Sequence, residues 1–385
     1  MNGSRMADKA ASLPSEFIWL REQVRTALAS ARFTFTEGVA AYYPAAGGKC
    51  YPNCYLRDFT YMVESAPEFV PATDTRALLA LFLSHCREDG TAPEQIKADG
   101  RPTYVCHGPL PVVDSGPFLV KLMAAYQTQE SDLEFLCQNL PRLTKALDAL
   151  PTETETGLIW VDPARPHTAY GFTDTIAKTG REFYSSLLLF DAWGIIRGFA
   201  ERLGDHRTAS TAGMRWSQLA RSFDVLWSDN ESMYLAASVD CRQIDVWGSL
   251  YACVVGVADP ARRQRIGAWC EANRDRILFH NQVRHLPAPA SWKRVIPGPG
   301  LEPLQQPGCF QNGAYWATAS GWYAELMESL RPGSGIAFLV DLVRDFQAHG
   351  IWECIGPDGY YRLENNLSSM MLPYRSLGRM LRMEP

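Results

Sequence analysis

Tyr170-Gly171-Phe172-Thr173-Asp174-Thr175-Ile176-Ala177-Lys178-Thr179-Gly180-Arg181-Glu182 stands near the middle of the 385-residue chain and runs straight into an apolar stretch, 183–202. The loop is polar, punctuated by glycine, and carries the acid Asp174. The stretch 183–202 is long and apolar enough to be a buried helix. A carboxyl on a loop pinned by a buried helix is held still, as a catalytic acid must be. The competing reading is that Asp174 only caps a helix or stabilises a turn, the commoner role of such an acid. The rest of the chain decides between them.

Outward from this loop, helical segments come in pairs: 115–129 with 133–150, 182–203 with 209–227, 245–257 with 260–277, and 312–330 with 336–349. Segments 13–32, 57–68, 73–87 and 367–381 complete about twelve helices in six pairs. Asp132, Asp205 and Asp259 stand where a carboxylate caps the second helix of a pair. Strand signals are few, at 104–106 and 157–160. The loop 88–113 is too long for a plain connector, and such loops usually carry function.

The segments leading into alternate helices each hold a polar cluster. They are Arg57-Asp58, Asp114-Ser115, Asp174, Gln243 with Asp245, Gln311-Asn312, and Glu353 with Asn365-Asn366. From Asp58 through Asp114, Asp174, Asp245 and Asn312 to Asn366 the steps are 56, 60, 71, 67 and 54 residues. A repeat of this length, one helical pair per unit, can close into a ring. The expected fold class is therefore all-α, an (α/α)6 toroid of six helical hairpins in a closed double ring, with long loops on the active-site face. The inner helices would open their N-termini on one face, where the six clusters converge. Tyr55, Tyr170, Trp247, Tyr315, Trp316 and Trp352 accompany the clusters. Aromatic rings beside carboxylates and amides suit a sugar, whose C–H faces stack while its hydroxyls hydrogen-bond. Six independent caps would explain Asp114 and Asn312 easily, but these rings less well.

The chain is 46% hydrophobic and 21% charged, with a net charge of −5 and no long single-sign run. No basic patch marks a nucleic-acid partner. Residues 1–15 lack the apolar core of a signal peptide, and no window approaches the ~18 apolar residues of a membrane span. A single cytoplasmic domain over 1–385 is expected, with 1–14 a flexible tail. Gly298-Pro299-Gly300 is the best break, yet the helical pairing continues past it. The ten cysteines read as reduced thiols, many in the core. Cys50, Cys54, His85, Cys86, Cys106 and His107 match no zinc spacing, so neither a metal nor another cofactor is expected. The sequence does not set the oligomeric state.

Cleaving a glycoside takes two carboxyl groups, one to protonate the leaving oxygen and one to activate water or attack. Glu353 is the best partner for Asp174, because its apolar and aromatic setting, Gly350-Ile351-Trp352-Glu353-Cys354-Ile355, raises a carboxyl pKa. Asp358, in Pro357-Asp358-Gly359, reads as a turn residue, and Glu364 is a weaker candidate. Asp58 beside Arg57 suits sugar hydroxyls, since a paired acid stays ionised. Tyr55, Arg57, Asp58, Asp114, Gln243, Asp245, Trp247, Gln311, Asn312, Trp316 and Trp352 are the expected substrate-binding residues. Lys178 reads as a solvated or hydrogen-bonding lysine rather than a Schiff-base one.

The order of these motifs resembles that of the six-hairpin, (α/α)6-toroid glycosidases, such as glucoamylases, trehalases and neutral invertases. Tyr55-Leu56-Arg57-Asp58 resembles their aromatic-x-Arg-Asp element, which holds the sugar in the cleavage subsite. Asp114-Ser115-Gly116-Pro117 and Gln311-Asn312-Gly313-Ala314-Tyr315-Trp316 resemble two inner-helix openings. The Asp174 loop takes the place of the general-acid loop, and Trp352-Glu353 with Asp358-Gly359 that of the general-base loop. An acid that is Asp rather than Glu is closer to trehalases and invertases than to glucoamylases. The resemblance covers about 15–380. It implies hydrolysis with inversion, Asp174 as acid and Glu353 as base, on a carbohydrate substrate left open. Related toroids include phosphorylases, epimerases and unsaturated-uronide hydrolases. A phosphorylase would need a phosphate cradle such as Lys293-Arg294, and an epimerase would lean on His107, His167 or His280. A non-catalytic carbohydrate-binding protein is a further alternative. Prenyl-transferring toroids need zinc ligands, which Asp240-Cys241 alone does not supply.

Overall fold

The computed structural model describes residues 13–35, 38–48 and 50–381, so the tail expected over 1–14 lies almost wholly outside the described residues. These residues form thirteen helices: α1 (Ser15–Ala31), α2 (Leu56–Ser65), α3 (Ala72–Ser84), α4 (Ser115–Gln129), α5 (Leu133–Asp148), α6 (Phe183–Leu203), α7 (His206–Ser222), α8 (Val246–Val254), α9 (Pro260–Ala272), α10 (Arg274–Ile277), α11 (Ser320–Leu330), α12 (Ser334–His349) and α13 (Leu367–Met380). The α10 turn is the far end of the segment expected as one helix over 260–277. Among the described residues, no helix is long and apolar enough to cross a membrane.

Helix contacts close a ring. α2 packs on α4, α4 on α6, α6 on α8, α8 on α11, α11 on α13, and α13 back on α2. Outside it, α3 and α5 lie on α4, α7 on α6, α9 on α11, α12 on α11, and α1 on α13. The sequence dictates this division. Inner helices such as α4 and α6 are apolar on nearly every face and buried on nearly every face. Outer α7 is polar and buries only Ala212 and Leu219 fully. Asp132, Asp205 and Asp259 cap α5, α7 and α9 as expected, accepting from the N–H three residues on at 3.0, 3.0 and 2.9 Å.

The all-α expectation needs correction, because the loops fold into small sheets. β1 (Arg32–Thr34) pairs with β2 (Ala40–Tyr42). β3 (Asn53–Tyr55), β4 (Gln95–Lys97) and β5 (Pro102–Thr103) form a three-stranded sheet. β6 (Trp160–Val161) pairs with β7 (Gly180–Arg181), and β8 (Trp227–Ser228) with β9 (Met233–Tyr234). β10 (Leu278–Phe279), β11 (Gln282–Arg284), β12 (Tyr315–Trp316), β13 (Trp352–Gly356) and β14 (Tyr360–Glu364) make an antiparallel five-stranded sheet. The expected strand at 104–106 is absent, whereas 157–160 contributes its last residue to β6. β12 also explains why the helix expected from 312 begins only at Ser320. Tyr315 and Trp316 pair with Arg284 and Val283, and Tyr315 with Ile355, an arrangement that suits aromatic residues.

Ten free cysteines are present, with Cys54, Cys241, Cys253, Cys270 and Cys354 buried. Half of them thus lie in the core, where several were expected.

Candidate active site

The N-terminal ends of the inner helices meet through direct bonds. Arg57, in the first turn of α2, donates from Nη1 to Asp114 Oδ2 at 2.9 Å, just ahead of α4. The same Asp114 oxygen accepts the Gly171 N–H, on the loop before α6, at 2.9 Å. Lys178 on that loop reaches Asp245, the cap of α8, at 3.0 Å. Ser368, in the first turn of α13, donates to Asp58 Oδ1 at 3.0 Å and so returns to α2. Gly171 permits the close approach, because a Cβ there would collide with the Arg57 guanidinium.

Over this face lies a cavity of about 260 Å³. Tyr51, Tyr55, Arg57, Asp58, Asn366, Cys106, His107, Phe172 and Asp174 line it. Phe310, Gln311, Trp316, Glu353 and Arg362 complete the wall, and Leu301 and Leu304 reach in from the loop at 297–308.

Asp174 ends a 3-10 turn, Gly171–Thr173, and caps no α-helix; Glu182 caps α6 instead, accepting the Ser185 N–H at 2.6 Å. The Asp174 carboxyl is gripped by neighbours. Gln311 Nε2 donates to Oδ1 at 2.7 Å, and the Cys106 thiol lies 3.4 Å from Oδ2. Gln311 is held in turn, since its Oε1 accepts from Thr175 N–H at 2.8 Å and Thr175 Oγ1 at 2.7 Å. Its amide orientation is thus set by donors and acceptors together.

Glu353 lies in β13, 3% exposed. Tyr51 Oη donates to Oε1 at 2.8 Å. Arg362 Nε stands 2.7 Å from Oε2 as an ion pair, without the alignment of a hydrogen bond. Burial pushes this carboxyl up to about 7, with Arg362 pulling against it, in the direction its apolar setting implies. Asp58 departs from expectation. Its Arg57 contact is long, 4.0 Å, and burial outweighs it, so its pKa is raised rather than held low.

The remaining expected binding residues divide. Tyr55, Arg57, Asp58, Gln311 and Trp316 line the cavity; Asp114, Gln243, Asp245, Trp247, Asn312 and Trp352 do not. Asp114 positions Arg57 and caps nothing. Asn312 is no cap either. Its Oδ1 accepts the Trp292 N–H at 2.7 Å and its Nδ2 donates to Gln305 at 2.6 Å. Gln243 holds the same strap through Ser291 and Lys293. Asp245 and Asn366 are the true caps, of α8 and α13. Trp247 is buried, stacked 3.8 Å from His285 and donating to Val283. Trp352 packs on Tyr361 and donates to His349. Lys178, expected at the surface or as a donor, is 1% exposed and buried between Asp245 and Trp292. Asp358 sits in the exposed β13–β14 turn, as expected, and Glu364 is exposed opposite Trp352.

Sequence reasoning missed Tyr51, Arg362, Phe310 and Glu94, and passed over Cys106 and His107 as partners of the acid. One signal was present: the long loop 88–113 reads as functional, and it carries Glu94, Cys106 and His107. Cys106 Sγ, a His107 ring nitrogen and an Asp174 oxygen lie within 4.8 Å of one another. Burial and the nearby Asp174 and Glu94 charges hold this thiol far above its ordinary range. It stays protonated and serves as a hydrogen-bond donor, not a thiolate ligand. Away from the cavity, His280 and His349 both bond Asp345 Oδ1, at 2.5 and 2.8 Å, tying the end of α12 to the β10–β11 turn.

No family model and no curated protein matches the sequence, but solved structures match the fold. A rhamnosidase from Klebsiella oxytoca, solved with rhamnose bound, gives a TM-score of 0.68 at 16% identity over 96% of this chain. This chain spans 65% of that one's length. The GH63 mannosylglycerate hydrolase from Thermus thermophilus, in complex with glucose, gives 0.62 at 14% identity, covering 95% of this chain and 100% of its own. An uncharacterized conserved protein from the same organism gives 0.66 at 14% identity, covering 92% and 99%. The chain therefore shares the fold of these structures, an (α/α)6 toroid of helical hairpins.

Proposed function

We propose that the chain is a glycoside hydrolase that cleaves with inversion, Asp174 acting as general acid and Glu353 as general base. The observation that carries the reading is the meeting of two carboxyls, 179 positions apart in sequence (353 minus 174), on one cavity. Around them stand an aromatic wall, Tyr55, Phe172 and Trp316, and a buried Arg57 and Asp58. Aromatic rings take the C–H face of a pyranose, while Arg57, Asp58 and Gln311 take its hydroxyls. Asp174 protonates the leaving oxygen; Glu353 draws a proton from the attacking water. A base held near pH 7 matches a task at neutral pH.

Other toroid chemistries find less support. Both cavity arginines are already paired, Arg57 with Asp114 and Arg362 with Glu353, so neither is free to cradle a phosphate. Arg294 pairs with Asp240, and neither it nor Lys293 lines the cavity. Of the three histidines an epimerase would use, only His107 does.

The test is a screen of glycosides and oligosaccharides, including rhamnosides and mannosides, read by anomer-resolved NMR. Inverted product is expected. Asp174→Asn and Glu353→Gln should each lower kcat by at least about 10³-fold. Retained configuration, or full activity in both variants, sinks the assignment.

A further inference from the structure

Outside the cavity, three metal-ligating side chains converge at the end of the outer helix α12. Asp345 and His349 lie four positions apart, on one face of that helix. His280 comes from the β10–β11 turn, 65 positions away in sequence. Both imidazoles approach the same carboxylate oxygen, with His280 Nδ1 2.5 Å and His349 Nδ1 2.8 Å from Asp345 Oδ1. One ligand atom from each of the three lies within 4.8 Å of those of the other two. The Asp345 side chain is 13% exposed, and those of His280 and His349 are 33% and 49% exposed. The group is rooted at its carboxylate and open to water over its rings.

The elements that present it are fixed. His280 and Asn281, with φ of 50° and 54°, make the two-residue turn of the β10–β11 hairpin. Asn281 donates to the Phe338 carbonyl of α12 at 3.0 Å, and its own carbonyl accepts from Ser320, at the start of α11, at 2.8 Å. A tie between turn and helix needs only one histidine. The second meets an oxygen that already has a partner, and the two rings, 5.3 Å apart, repel each other once both are protonated. In the Nε2–H tautomer each ring turns a nitrogen lone pair toward the carboxylate. Three acceptors then converge, and a cation satisfies all three at once. Bonds of about 2.0–2.1 Å in a tetrahedral site put ligand atoms about 3.3 Å apart, so the two contacts open by less than about 1 Å to admit an ion.

We propose that His280, Asp345 and His349 bind a divalent first-row transition-metal ion, with Zn2+ the expected occupant and water completing the tetrahedron from the open side. Imidazole nitrogen favours such ions over Ca2+ and Mg2+, which take oxygen shells. The ion is a clamp. It joins the end of α12 to the hairpin whose strand β11 pairs with β12, which pairs in turn with β13, the strand of Glu353. His349 also precedes Glu353 by four positions (353 minus 349), and its carbonyl accepts the Trp352 indole N–H at 2.8 Å. Metal binding therefore supports the Glu353 strand from both sides, whichever reaction the cavity carries out.

The test takes the full chain, stripped with a chelator, and adds Zn2+ or Co2+. Calorimetry should show one tight equivalent of Zn2+, which His280→Ala, His349→Ala and Asp345→Asn each weaken by at least about 100-fold. Saturating Zn2+ should raise the Tm of the wild type by about 2 °C or more and leave those of the variants unmoved. Free thiols are rival ligands, so the Co2+ spectrum of the wild type reads the ligand set without any variant. Visible d–d bands without a thiolate charge-transfer band are expected, and Cys106→Ala should bind Zn2+ as the wild type does. No binding, undiminished binding in the three variants, or a thiolate band on the tight equivalent overturns the proposal. None of these readings uses a glycosidase assay, so the metal site and the hydrolase reading stand or fall separately.

Discussion

Arg362 and Gln311 show how single side chains set the two proposed catalytic carboxyls. Arg362 favours the charged form of Glu353 while burial opposes it, leaving the group near 7. A base must be ionised to act, so the acid limb of kcat/KM should follow this pKa. Removing the cation in Arg362→Gln raises it further, and the acid limb should move up by about one pH unit. An unmoved limb would show that Glu353 is not the base. Gln311 holds Asp174 at 2.7 Å while bonded to Thr175 and Gly171. Gln311→Leu should lower kcat by roughly 10²-fold with little change in KM, the mark of a misplaced acid. Steady-state kinetics beside a melting curve separates this from misfolding. At this scale the sequence was partly legible. Asp174, Arg57 and Gln311 announced themselves by type and position. The raised pKa of Asp58 did not, because burial, not its neighbour Arg57, decides it.

Among the elements, the junction of α6 and α8 holds the most deeply buried ion pair of the described residues. Lys178 and Asp245 are both almost fully buried and 3.0 Å apart, with Glu182 3.9 Å from the same ammonium. Asp245→Asn keeps a competent cap on α8 but leaves the lysine only the longer contact with Glu182. Breaking a buried pair in this way costs about 3–5 kcal/mol. Lys178→Met together with Asp245→Asn should recover part of that loss, which a double-mutant cycle by urea unfolding would measure. A loss in the double equal to the sum of the losses in the two singles would show that the two side chains are uncoupled. Helix bounds are legible in the sequence wherever periodicity and a cap agree, as at α5. They are not at α11, where an aromatic pair is drawn into a sheet by strands distant in the chain.

For the whole molecule, ring closure buries carboxyl groups, and stability inherits a pH dependence. Glu94 and Glu353 have folded pKa values raised from an ordinary 4.5 to about 8 and about 7. The folded state therefore binds more protons than the unfolded chain between these values. Their contribution is fully present below 4.5 and is lost as pH rises through 7 to 8. The Tm of the wild type should fall from pH 5 to pH 8.5. Glu94→Gln should stabilise the protein at the upper end by at least about 1 kcal/mol. A Tm difference that does not change with pH would refute this. The sequence by itself determined the helical pairs and the regular return of polar clusters, because helix periodicity, caps and turns are local. Only the tertiary structure decided which cluster residues face the cavity. Asp114, Asp245 and Asn312 were spent on holding loops, while Tyr51 and Arg362 came to flank Glu353. Tyr51 reaches Glu353 across 302 residues and Gln311 reaches Asp174 across 137. Partners that far apart meet only when the ring closes, and burial, which sets their charge, exists only after it has.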